Sequence, residues 1–216
     1  EVVHGILLSG IDHLKEGGMI LAVLQKKQGA PSAMKKMEET YGNCETIAIE
    51  IVYYVLNSVN DLAMTEEEKI AFMKEALKEA KSAYEAGEVP IGCVIVSGGR
   101  IIGRGHNRRE ELQEATEHAE MIAIREANRT LGSFRLENCA LFVTIEPCPM
   151  CTGAIINARI PEVFYGAPDE KAGTCGTLMN LLGDERFNHR ASVEKGCLGN
   201  ECGKLLSDFF ASLRIR

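Results

Sequence analysis

Ile70, Met73, Leu77, Ala80 and Tyr84 recur at helical spacing with charged residues between them, which predicts an amphipathic helix. Thr65 and Glu68 form a capping box at its start, Gly87 stands where it ends, and Pro90 blocks continuation. The pattern then becomes a continuous apolar run, Ile91–Val96, followed by the hairpin residues Ser97-Gly98-Gly99 and a return strand from Ile101 to Gly105. A helix from about Thr116 to Asn128, a strand Ala140–Thr144, a helix starting near Pro147 and a short strand Glu162–Tyr165 come next. A last amphipathic helix runs from about Asn200 to Arg216, with Leu205, Leu206, Phe209, Phe210 and Leu213 on one side. Helix, hairpin and repeated helix–strand units predict an α/β fold, a mixed sheet covered by helices on both faces.

The chain changes character around residues 61–65. Before that seam, Gly5 to Leu14 is apolar with helical period, Gly17-Gly18 ends it, and Met19 to Leu24 reads as a strand. A second helix near Ala33 to Thr40 and two β-rich stretches, Thr46–Ile51 and Val52–Val59, follow. This order, together with Leu14-Lys15-Glu16-Gly17-Gly18 and Gln25–Ser32, resembles the C-terminal end of a class I methyltransferase, closest to the 16S rRNA guanine group. The glycine-rich cofactor loop of such a domain is missing from the segment, so no methyltransferase activity is expected of it. The division is therefore 1–63, a truncated methyltransferase-like segment, and 64–216, a second domain. With Met64 placed like a start codon, a fusion or readthrough of neighbouring genes is the favoured origin; an accessory RNA-binding arm is the alternative.

Composition narrows the classes. At 216 residues and 45% apolar content the chain holds one generous domain, or one domain plus a fragment. No apolar run approaches the roughly 18 residues of a membrane span, and the N-terminus lacks signal-peptide features, so a cytoplasmic location is expected. The net charge of −7 argues against a protein that coats nucleic acid with a basic surface, though not against one that grips a folded RNA through a local patch. Of eight cysteines, only Cys148 and Cys151 stand at ligand spacing, which in this context reads as metal binding rather than a disulfide.

The chemistry lies in His118-Ala119-Glu120 and, thirty residues on, Glu146-Pro147-Cys148-Pro149-Met150-Cys151. One imidazole and two thiolates supply three zinc ligands and leave the fourth tetrahedral position open, as catalytic sites do. Two cysteines three apart at the start of a helix share one face, and the unsatisfied N–H groups there favour thiolate. His118 opens the preceding helix, so two helix N-termini converge. Glu120, two residues from His118, falls beside the metal, where a carboxylate takes a proton from attacking water and returns it to a ring nitrogen. Alone, a histidine near a helix start is more often structural, and C-x-x-C is ambiguous; together, in this order, they are recognised as the signature of zinc nucleobase deaminases.

From Met64 to Arg216 the sequence resembles the bacterial tRNA-specific adenosine deaminases. The matching stretches are Glu88–Gly92, Gly105–Arg108, His118–Met121, Val143–Ile155, Tyr165–Gly173, Asn188-His189 and Leu206–Phe210. The last three groups discriminate, since the whole superfamily shares the metal motif. The resemblance implies a cytidine-deaminase-like three-layer α/β/α domain with a mixed five-stranded sheet, one zinc ion per subunit, and a homodimer. It implies hydrolysis of the wobble adenosine of a tRNA anticodon stem-loop to inosine. It also gives Asn107 a hydrogen bond to the target base, places Asp169 facing the neighbouring nucleotide, and makes Phe209 and Phe210 the residues that bring the last helix to the substrate. A turn role for Asn107 and core packing for at least one phenylalanine remain open. Arg108, Arg109, Arg186, Arg190, Lys204, Arg214 and Arg216 are candidates for phosphate contacts, with a solvated surface the alternative for each.

Three alternatives stand beside this reading. A guanine, cytosine or nucleoside deaminase would share the metal motif. A non-catalytic RNA-binding deaminase-like subunit would have no need of Glu120, and a methyltransferase-derived module is opposed by the missing cofactor loop.

Overall fold

Thr65 caps the first of the described helices as its sequence predicts. In the computed structural model, which describes residues 64–214, its Oγ1 accepts from the Glu68 amide at 3.2 Å, and the Glu68 carboxylate accepts from the Thr65 amide at 2.9 Å. Two donors that helix geometry leaves unpaired are thereby satisfied. This helix, α1 (Glu66–Glu85), ends ahead of Gly87, whose φ of 79° suits glycine. Its buried side differs from the expected stripe. Met73, Ala76, Ala80 and Ala83 are buried, whereas Leu77 and Tyr84 are half-buried and Ile70 is exposed. Small residues face the sheet because a Cβ at Gly92 would already collide with the α1 backbone at Ala76 and Ala80. The methyltransferase-like reading of 1–63 lies outside the described residues.

The hairpin β1 (Gly92–Ser97) and β2 (Arg100–His106) turns through Gly98 and Gly99, both at positive φ, the geometry that two-residue hairpin loops require. β3 (Ala140–Ile145), β4 (Glu162–Ala167) and β5 (Ser192–Lys195) complete a mixed five-stranded sheet in the order β2-β1-β3-β4-β5. β1 runs antiparallel to both β2 and β3, while β3, β4 and β5 are mutually parallel. Hydrophobic patterning predicts four of these strands. It gives no sign of β5, a Ser-Val-Glu-Lys edge in which only Val193 is half-buried.

Alternation along the central strands divides the core. Cys93, Ile95, Leu141, Val143, Val163 and Tyr165 pack on one face with α3 (Ala119–Leu131) and α4 (Pro149–Ala158). Val94, Val96, Phe142 and Phe164 pack on the other with α1 and with Cys202 and Leu206 of α5 (Gly199–Arg214). Phe142 stacks on Phe164 with centroids 4.6 Å apart. The described residues thus form the three-layer α/β/α domain. α3 lies so close to β2 that a Cβ on Gly103 or Gly105 would run into its backbone.

A one-turn helix, α2 (Arg109–Leu112), precedes α3 and was not predicted. α3 itself begins at Ala119 rather than Thr116 and ends at Leu131 rather than Asn128. Gln113 turns the chain at a φ of 53° and the Arg108 amide holds the Glu117 carbonyl at 3.0 Å, which keeps 113–118 out of the helix. The stop is Gly132 at a φ of 61°. Both rims of the sheet are guarded: on β2 the Arg104 amide donates to the Glu126 carboxylate at 2.7 Å, and β5 is short and charged.

Candidate active site

Two helix beginnings meet at the site. His118 is the N-cap of α3 and Cys148 the N-cap of α4, both with extended backbone, and Pro149 occupies the first turn where its missing N–H costs nothing. Cys151 lies one turn into α4 and is buried. The His118 Nδ1 is 3.7 Å from the Cys148 sulfur and 3.6 Å from the Cys151 sulfur. A tetrahedral zinc, with bonds of about 2.3 Å to sulfur and 2.0–2.1 Å to nitrogen, would hold such atoms about 3.6 Å apart. The donors therefore fit one zinc ion, and no other group of three His, Cys, Asp or Glu side chains in metal-binding proximity occurs among the described residues.

The electrostatics favour thiolate at Cys148. A hydrogen bond from Cys151 holds the Cys148 thiol down to about 4 against the opposing effect of burial, with His118 assisting. The Cys148 contact raises His118 in turn, against burial. Cys151 rises because it keeps the proton of the pair, is buried, and faces Glu120.

Glu120, in the first turn of α3, is 3% exposed. Burial pushes its carboxyl up to about 7, against its own backbone amide and His118, with the Cys148 charge adding to the rise. A carboxyl near neutrality both accepts and releases a proton at working pH, as general acid–base chemistry requires.

Asn107 directly follows β2 and is buried. Its Nδ2 donates to the Glu88 carboxylate at 3.1 Å, and the other Glu88 oxygen accepts from the Glu111 amide at 2.7 Å. Because a carboxylate only accepts, this fixes which way the Asn107 amide points. Glu88 is 1% exposed and sequence reasoning assigned it no role; the only available signal was its place in the Glu88–Gly92 stretch. The next amide, Arg108, is bonded to Glu117, the residue before His118, so Asn107 is tied to the metal-binding segment.

Asp169 follows β4, half-buried, with its Oδ1 accepting from the amides of Lys171 and Ala172 at 2.9 and 3.2 Å. Phe209 is a core residue, buried edge-on against Tyr84 at 5.6 Å, whereas Phe210 is 44% exposed. His189 bonds the Ile160 carbonyl at 2.8 Å and Asn188 accepts from Arg159 at 2.7 Å, which fastens their segment to the end of α4. Among the phosphate candidates, Arg108, Arg186, Arg190 and Lys204 pair with Glu111, Asp184, Glu185 and Asp208 at the surface. Arg216 lies outside the described residues.

Comparison with known proteins agrees with this geometry. Residues 66–167 match the cytidine and deoxycytidylate deaminase zinc-binding region. A tRNA-specific adenosine deaminase of Bacillus subtilis is 56% identical over 151 residues, covering 70% of this chain and 92% of that one. One from Aquifex aeolicus is 48% identical over 143 residues, covering 66% and 94%. A solved structure from studies of A-to-I editing by tRNA:A34 deaminases at the wobble position of transfer RNA is 43% identical. It covers 62% of this chain and 98% of its own, with a TM-score of 0.61.

Proposed function

The chain belongs to the bacterial tRNA-specific adenosine deaminases, and we propose that it hydrolyses the wobble adenosine of a tRNA anticodon loop to inosine. The observation that carries this reading is the 56% identity spanning 92% of a tRNA-specific adenosine deaminase, with the His118–Cys148–Cys151 cluster and buried Glu120 in place.

His118, Cys148 and Cys151 would hold the zinc, which would supply the positive charge that makes water a nucleophile at neutral pH. Glu120 takes a proton from the water that attacks C6 of the base and places it on the adjacent ring nitrogen. It then carries the second proton to the departing amino group, so that adenosine and water leave as inosine and ammonia. Asn107, held by Glu88, orients the base by a hydrogen bond to its edge. Asp169 and the exposed Phe210 border the flanking nucleotides, and Phe209 supports Phe210 from the core. An anticodon base is already unpaired, so extruding it costs little. Contacts to its neighbours supply the binding energy that positions it.

The enzyme works in the cytoplasm, where tRNA is, and no helix among the described residues is long and apolar enough to cross a membrane. It works as a homodimer, for which Leu178, Met179 and Phe187 offer exposed apolar surface. Residues 64–216 carry the activity.

The test compares an anticodon stem-loop carrying wobble adenosine with free adenosine, guanine and cytosine, with inosine read by nucleoside chromatography. The stem-loop should react far faster than any free base or nucleoside, at equal rate with the full chain and with residues 64–216. Faster turnover of guanine or cytosine would replace this reading with a free-base deaminase.

A further inference from the structure

Glu146 is buried two residues before Cys148, yet it neither reaches the metal cluster nor faces a cation. Its carboxylate is instead saturated by one loop. Oε1 accepts from the amides of Cys175 and Thr177 at 2.9 and 3.0 Å. Oε2 accepts from the Asp169 amide at 3.2 Å and from the Thr177 hydroxyl. The loop closes around this carboxylate so tightly that a Cβ at Gly173 would collide with it. Beside it, the Thr174 amide donates to the Pro147 carbonyl at 3.0 Å, and the Thr174 hydroxyl meets that of Thr152 on α4 at 2.8 Å.

These contacts have a direction. Residues 168–178 contain no helix or strand of their own, and the amides of Asp169, Thr174, Cys175 and Thr177 find their partners at Glu146 and Pro147 on the metal-binding turn. Apart from Glu146, none of the acidic side chains named at the site is tied to that turn and to the Asp169 segment at once.

We propose that Glu146 is a positioning residue that fixes the 169–177 loop against the metal-binding turn, so that recognition of the nucleotide beside the target base is held in register with the reacting centre. The second half rests on the role given to Asp169 above; the anchoring of the loop does not.

Glu146→Gln tests it with little change of shape. With two amides on Oε1, the new amide group falls on the Oε2 side, where its N–H faces the Asp169 N–H and that bond is lost. Exchange of the Asp169 amide should then accelerate about ten- to a hundredfold, the loss of one hydrogen bond to a charged acceptor. Zinc should stay at one per chain. For the stem-loop, KM should rise about tenfold while kcat changes by less than about threefold. Thr177→Val, which removes a single hydroxyl, should move exchange and KM the same way by less.

Asp169→Ala separates the two halves. If Glu146 acts through Asp169, the double variant is no worse in KM than Asp169→Ala alone. A KM raised by Glu146→Gln but untouched by Asp169→Ala overturns the role of Asp169 and keeps the anchor. Loss of zinc, unchanged exchange at Asp169, or a fall in kcat with KM constant overturns the anchor itself. The exchange measurement needs no substrate, so it reads the anchor even if the stem-loop is not deaminated.

Discussion

A single methyl group added to β2 should disable the enzyme through one helix. In Gly105→Ala the new Cβ would stand 2.8 Å from the Ala123 amide nitrogen and 2.9 Å from the Ile122 Cβ, and closer still to the Ala119 carbonyl. Ordinary contact begins at 3.4 Å, and all three neighbours belong to α3, so the helix must back away from the sheet. The displacement is roughly 1 Å, the amount that restores van der Waals separation. Because α3 carries His118 at its cap and Glu120 in its first turn, both move relative to the cysteines on α4. A misplacement of that size costs about 10²-fold in rate, and overpacking about 1–3 kcal/mol in stability. Gly103→Ala presses on the same helix one turn further on, at Ala123 and Ala127. It should lose similar stability but less than about tenfold in rate, since the shift is largest away from His118. Gly153→Ala, with nothing within 4 Å of the new methyl, is the control and should be neutral or slightly stabilising. Initial rates on the stem-loop, zinc content and chemical denaturation of the three variants decide the matter. A wild-type rate in Gly105→Ala, or an equal rate loss in Gly103→Ala, refutes the argument.

Glu120→Ala should retain one zinc per chain by elemental analysis and lose about 10²–10⁴-fold in turnover; a zinc-replete variant with near-normal rates removes Glu120 as the proton carrier. Alanine at His118, Cys148 and Cys151 together should abolish zinc binding, and zinc unchanged in that variant would move the metal elsewhere. Glu88→Gln leaves one of the two donors, the Asn107 amide or the Glu111 N–H, facing another donor. It should lower kcat/KM about tenfold, equivalent to about 1.4 kcal/mol, without changing zinc content; unchanged kcat/KM discards Glu88 as the orienter of Asn107. Hydrogen bonds from Lys78 and Arg104 hold Glu75 below its ordinary 4.5 against burial. A depressed carboxyl stabilises fully above 4.5 and loses its contribution as pH falls through the lowered value, so the denaturation gap between wild type and Glu75→Gln should narrow below pH 4.5. A gap that widens on acidification reverses the sign of the argument.

The metal cluster was legible because zinc ligands announce themselves by residue type and spacing, and because Pro147 and Pro149 mark a helix start. The capping box at Thr65 and the glycine pair at 98–99 were legible for similar local reasons. Glu88 and Glu146 were not. A buried carboxylate looks like any surface acid in the sequence when its partners are backbone amides far along the chain, as Asp169 and Thr177 are for Glu146. β5 escaped notice because an edge strand with one half-buried side chain carries no alternation. The α1 stripe was misplaced because close approach to Gly92 selects alanines over larger residues, a constraint that appears only once helix and sheet are brought together.

The guarded rims of the sheet bear on how the protein fails. With the Arg104 amide occupied by Glu126 on one side and a four-residue charged strand on the other, the two edges of the described sheet are poor templates for a passing chain. Glu126 sits on α3, the helix that also supplies His118. Peeling α3 away would therefore part His118 from Cys148 and Cys151 and uncover the Arg104 amide in one motion.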